Sequence, residues 1–123
     1  MDQAKAEIAP KKDTRLILFQ GRGVRQKFHN GQWFFSIVDI VEVLVGSGRH
    51  RKYWSDLKTK LTDPKGVAQL SAQIGQLKLP STDGKMYETD VANMTTVLRI
   101  IQSIPSKNAE PFKRWLTPEE ATR

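Results

Sequence analysis

The sequence predicts an α+β domain in which β-hairpins pack on short helices, two of them forming a helix-turn-helix-like pair. Three observations predict it. Short apolar or alternating runs lie between Leu16 and Phe35 and again between Leu70 and Thr89. Apolar stripes at helical spacing recur at Ile37–Leu44, Trp54–Leu61 and Met94–Ile101. Strands and helices follow one another without the even spacing of βαβ units, which favours α+β over a parallel sheet.

The elements follow in order. Residues 1–14 are polar and poor in large apolar side chains, so a disordered lead-in is expected there. Leu16-Ile17-Leu18-Phe19 is a strand-type run closed by Gly21 and Gly23. Val24, Gln26 and Phe28 alternate with Arg25 and Lys27, and Asn30-Gly31 separates them from Trp33-Phe34-Phe35. Asn-Gly suits a type I′ turn, whose two central residues both need positive φ, so a hairpin is expected from about Arg22 to Phe35. Ser36 with Asp39 three residues on resembles a capping box opening a helix whose stripe is Ile37, Ile40, Val41 and Leu44. Gly46 ends that helix, and Ser47-Gly48 links it to a second one starting near Arg49. On the second helix Trp54, Leu57 and Leu61 are assigned inward, and Lys52, Ser55, Lys58 and Thr59 outward.

Asp63-Pro64-Lys65-Gly66 is a turn. The alternation of Leu70, Ala72 and Ile74 slips phase at Gly75 before Leu77 and Leu79, which suggests a bulged strand or two short ones. Pro80 ends the run, Asp83-Gly84 turns the chain, and Met86 to Thr89 returns as a strand. Met94, Val97, Leu98 and Ile101 form a helical stripe stopped by Pro105. A last helix carries Phe112, Trp115 and Leu116, with Pro111 in its first turn and Pro118 at its end. The domain is placed at residues 15–117, with a tail at 118–123.

Composition narrows the chemistry. With no cysteine among 123 residues, disulfides, thiolate metal sites and cysteine nucleophiles are excluded, and a cytoplasmic setting is expected. No apolar run is long enough for a membrane span. The formal net charge is +7, and it is unevenly placed. Residues 15–60 hold nine Lys and Arg against three acids, residues 1–14 balance, and residues 61–123 hold eight against seven. Such a local excess points to a polyanionic partner.

The sharpest feature is Arg49, His50, Arg51 and Lys52 at one helix start. Cations there oppose the helix dipole, and a phosphate would resolve the conflict. Lys58 and Lys60 continue the basic character along the helix. Arg25 and Lys27 share one face of the hairpin, a ribbon of a kind that can enter a DNA groove. The bland alternative for all of these is a solvated basic face. The aromatic residues could stack on bases, but Trp54 and Trp115 sit on apolar stripes and read as core. Gly21-Arg22-Gly23 lacks the third glycine of a dinucleotide fingerprint, His29 and His50 lack carboxylates at ligand spacing, and Asp83-Gly84-Lys85 is explained by its turn. No catalytic residue, metal or cofactor is expected.

Five runs then resemble one family, in order and across most of the chain: Trp33-Phe-Phe-Ser-Ile-Val-Asp-Ile-Val, Tyr53-Trp-Ser-Asp-Leu-Lys, Gln76-Leu-Lys-Leu-Pro, Asp83-Gly-Lys-Met-Tyr-Glu-Thr-Asp-Val, and Ile101-Gln-Ser-Ile-Pro-Ser-Lys with Ala109-Glu-Pro-Phe-Lys-Arg-Trp-Leu. The sequence is similar to the BRO family N-terminal domain, found in phage antirepressors, baculovirus repeated-ORF proteins and bacterial proteins related to DNA-damage-inducible protein D. The resemblance implies a DNA-binding module of a phage or prophage regulator, commonly followed by a variable second domain. The stretch Gly46-Ser-Gly-Arg-His-Arg-Lys departs from the acidic, proline-containing linker frequent in relatives and makes this copy more basic.

The expected activity is therefore non-enzymatic binding of double-stranded DNA, largely through phosphates, by Arg25, Lys27, Arg49, His50, Arg51, Lys52, Lys58 and Lys60. The rival is a protein-interaction module that antagonises a repressor or recombination protein without touching DNA. A homodimer is compatible with either.

Overall fold

The computed structural model describes residues 13–61 and 73–116. Within them run β1 (Thr14–Phe19), β2 (Arg22–His29), β3 (Gln32–Ser36), α1 (Ile37–Val45), α2 (His50–Leu61), β4 (Gly75–Pro80), β5 (Met86–Asn93), α3 (Met94–Gln102) and α4 (Ala109–Leu116). Nearly all of the expected lead-in, the turn at Asp63–Gly66, the Leu70–Ala72 alternation, Pro118 and the tail lie outside the described residues. The fold is α+β, an antiparallel five-stranded sheet in the order β1-β2-β3-β5-β4 with four helices.

Local chemistry accounts for most of the boundaries. Asn30 and Gly31 adopt φ of 51° and 83°, the positive pair a type I′ turn demands, and His29 opposes Gln32 across it. Gln20 and Gly21 do the same at 52° and 81°, so β1 and β2 form a second hairpin with Phe19 opposite Arg22. Ser36 caps α1 by accepting from the Asp39 N–H, and Asn93 caps α3 by accepting from the Thr96 N–H. Asp39 does not complete a capping box, because its carboxylate is committed to Arg25. Pro111 falls in the first turn of α4, where a missing N–H costs least. β5 runs four residues beyond Thr89, because Val91, Ala92 and Asn93 pair with Ser36, Phe35 and Phe34 of β3.

One apolar core joins sheet and helices: Phe19, Val24, Phe35 and Ala92 from the strands, the Ile40, Val41 and Leu44 stripe of α1, Trp54 and Leu61 of α2, Val97 and Ile101 of α3, and Phe112 of α4. Leu79 and Val91 are also buried, yet they stand outside that cluster. α1 packs against α2 and rests on β2, β3 and β5, and Trp54 and Lys58 of α2 add direct bonds to Asp90 of β5.

Where β3 leaves the sheet to become α1, the edge of β2 loses its ladder partner. Asp39 of α1 fills the gap: its Oδ2 accepts from the Arg25 backbone N–H at 2.9 Å. The same carboxylate takes the Arg25 side chain, with Nε to Oδ2 at 2.8 Å and Nη2 to Oδ1 at 3.1 Å. The remaining nitrogen, Nη1, donates to the Pro80 carbonyl at the end of β4. Arg25 thus ties β2 to the start of α1 and to β4.

Candidate nucleic-acid interface

The link from α1 to α2 is built by two glycines with positive φ, Gly46 at 96° and Gly48 at 92°. Ser47 between them donates from its hydroxyl to Glu42 at 2.5 Å and accepts from Arg22 Nη1 at 3.2 Å. Arg22, at the start of β2, is thereby brought beside the linker. α2 follows with Arg49 in the place where Ser36 caps α1 and Asn93 caps α3; a guanidinium has no acceptor to offer, and α2 has no acid in its first turn.

Arg49, Arg51, Lys52 and Lys60 are all exposed. Arg49 and Lys52 share a depression of about 260 Å³ with Gly48, Tyr53 and Asp56. Arg51 lies on the sheet side of the helix, in a groove with Trp54, Gln76 and Asp90. Lys52 pairs with Asp56 at 3.4 Å, but the two side chains are 85% and 64% exposed, so the pair is weak and exchangeable. His50 is half-buried, and its Nδ1 is a buried atom without a hydrogen-bond partner among the described residues.

The other predicted contacts are placed differently. All three guanidinium nitrogens of Arg25 are engaged internally, so its charge is spent on the fold. Lys27 reaches the Lys78 carbonyl at 3.4 Å. Lys58, assigned outward from the helical stripe, turns to β5 and pairs with Asp90 at 2.9 Å. Asp90 also accepts from Trp54 Nε1 at 2.8 Å and Gln76 Nε2 at 3.0 Å. Burial pushes the Asp90 carboxyl up, but the hydrogen bonds from Gln76, Lys58 and Trp54 and the Lys58 charge outweigh it, leaving the pKa below the ordinary carboxylate value. The structure therefore gathers Arg49, Arg51 and Lys52 around one helix start and diverts Arg25 and Lys58 into ion pairs.

Arg22 and Asp90 are the residues that sequence reasoning missed. Arg22 depends on a partner 25 positions away and Asp90 on partners 14, 32 and 36 positions away, and no local pattern signals them. The core reading of both tryptophans holds: Trp54 is buried, and Trp115 packs against Phe19 and Phe112, which also touch each other. Asp83 accepts from the Lys85 N–H and the Tyr87 hydroxyl, an Asx-type turn. No cluster of three metal-ligating side chains occurs among the described residues, and no helix there is long and apolar enough to cross a membrane.

Compared with known families, residues 23–121 match the BRO family, N-terminal domain. No curated protein and no solved structure shows a significant match to the chain.

Proposed function

Since the chain belongs to the BRO family as an N-terminal domain, we propose that it binds duplex DNA through the start of α2 as part of a phage-type regulator. Domains of this family are DNA-binding, antirepressor-like modules of regulatory rather than enzymatic kind. The observation that carries the reading is the exposed group of Arg49, Arg51 and Lys52 around a helix start that has neither an acid nor a capping side chain. The free N–H groups, the dipole and the Arg49 and Lys52 side chains, which share one depression, favour a phosphate there, and Arg51 adds its charge from the sheet side of the helix. Arg22, beside the linker, and Lys60, farther along α2, add to the positive charge, and Arg25 and Lys58 act by holding β2 and α2 in position.

Binding of this kind is governed by counterion release, with log K falling about 0.9 per phosphate contact for each unit of log salt. Replacing Arg51 and Lys52 together by alanine should weaken binding to every duplex and flatten the salt slope by about 2. An unchanged slope would refute the placement. The protein-docking rival draws on Leu16 and Leu18, which are 60% and 59% exposed on the outer strand β1. Duplex binding that ignores salt, or no duplex binding even at low salt, would favour it.

A further inference from the structure

A groove of about 570 Å³ opens where β1, β2 and β3 meet the start of α3 and the end of α4. None of the α2 cations lines it. Its volume is that of a small-molecule site. Arg15 stands over the Trp33 ring, 3.9 Å from guanidinium carbon to centroid, giving the groove a flat cationic shelf. Behind the shelf is Gln26, 1% exposed. Arg15 Nε donates to its Oε1 at 3.0 Å, and because Nε can only donate, the other end of the amide must be the NH2 group. That nitrogen has no acceptor among the described residues, but it is not one of the buried unpaired atoms there, so it faces the solvent of the groove. The amide lies in the groove wall with little access to water, so an acceptor entering the groove can take that donor.

We propose that this groove takes a nucleobase: a planar, acceptor-rich heterocycle stacked on the Arg15 guanidinium, with a ring nitrogen or carbonyl accepting from Gln26 Nε2. The walls agree with that chemistry. The grooves that hold Asp39, Asp90 or Asp56 present carboxylates, which would repel an acceptor edge, whereas this one has none. Trp33 and Trp115 supply aromatic surface, and every base has a π face to meet it. The base could come from a free nucleoside or from an unpaired position in DNA. The inference stands on this groove and does not require the α2 cations.

The test has two arms, each run on the full chain and on Arg15→Ala and Gln26→Met variants checked for folding by circular dichroism. In the first, anisotropy compares a paired duplex with the same duplex carrying one bulged base. Preference for the bulge by at least about fivefold is expected, falling to near one in Arg15→Ala. In the second, calorimetry measures the four free deoxynucleosides, and saturable binding lost in Arg15→Ala is expected if free ligand is the source. Either arm alone supports the site and identifies the source of the base. Failure of both overturns the proposal, and so does a bulge preference that survives both substitutions. Should paired duplex not bind at all, the duplex reading fails while the nucleoside arm still decides this one.

Discussion

Removing the carboxylate of Asp39 should be the most damaging single polar substitution in the domain. Asp39→Ala strands a guanidinium whose three nitrogens now reach Asp39, Ser36 and Pro80, and frees the Arg25 N–H as well. The two side chains are only 22% and 12% exposed, so water can replace the lost partner only in part. Breaking a buried pair by deleting one member costs about 3–5 kcal/mol, and the residual exposure of Arg25 puts this case at the low end, about 3 kcal/mol. For a domain near 100 residues each kcal/mol lowers Tm by about 4–8 °C, so a drop of more than about 10 °C is expected. Urea denaturation of Asp39→Leu, Arg25→Met and the double variant should show a coupling of about 1–3 kcal/mol, the double variant being less unstable than the sum. A loss under about 1 kcal/mol for Asp39→Ala, with additive behaviour in the cycle, would refute the internal role given to Arg25. So would a fall in the DNA salt slope by about 0.9 in Arg25→Met, since that is the signature of a phosphate contact.

Three further outcomes follow from single groups. The Asp90 pKa is held below its unfolded value, so its contribution is complete above about pH 4 and is lost as the pH drops through the lower folded value. Acid titration should show wild type losing stability across that window and Asp90→Asn losing much less; parallel curves would disprove it. Asp56→Asn frees Lys52 and removes an acid from the Arg49 depression, and should tighten low-salt duplex binding by up to about fivefold, an effect of at most about 1 kcal/mol. Gly46 sits at φ 96°, ψ 161°, a region essentially closed to other residues. Gly46→Ala should therefore cost about 1–3 kcal/mol in urea denaturation, and an unchanged midpoint would show that the linker relaxes freely.

What the chain announces locally, it announces well. Asn30-Gly31 could be read as a turn because both residues tolerate positive φ, and Ile37 to Leu44 because a helix needs only its own stripe. Gln20-Gly21 makes the same turn but stayed hidden, since glutamine rarely enters that region and the register of β1 is set by pairing along its whole length. The strand after Asp83-Gly84 runs four residues past Thr89, where its local pattern ends, for a similar reason: Val91 to Asn93 are extended because β3 lies beside them. The basic crowd at α2 was legible as charge along the sequence. Its division was not, because the acids that claim Arg25 and Lys58 lie 14 and 32 positions away on other elements. Trp33 could be read as aromatic, but nothing local placed Arg15 over its ring.

The two strands at the middle of the sheet pass into helices without a loop: Ser36 is both the last residue of β3 and the cap of α1, and Asn93 plays both parts for β5 and α3. Lever arms fixed so directly leave little slack between sheet and helix. α2 is tied back in its turn, since Trp54 and Lys58 both donate to Asp90 of β5, so the domain presents its cations from a stiff frame.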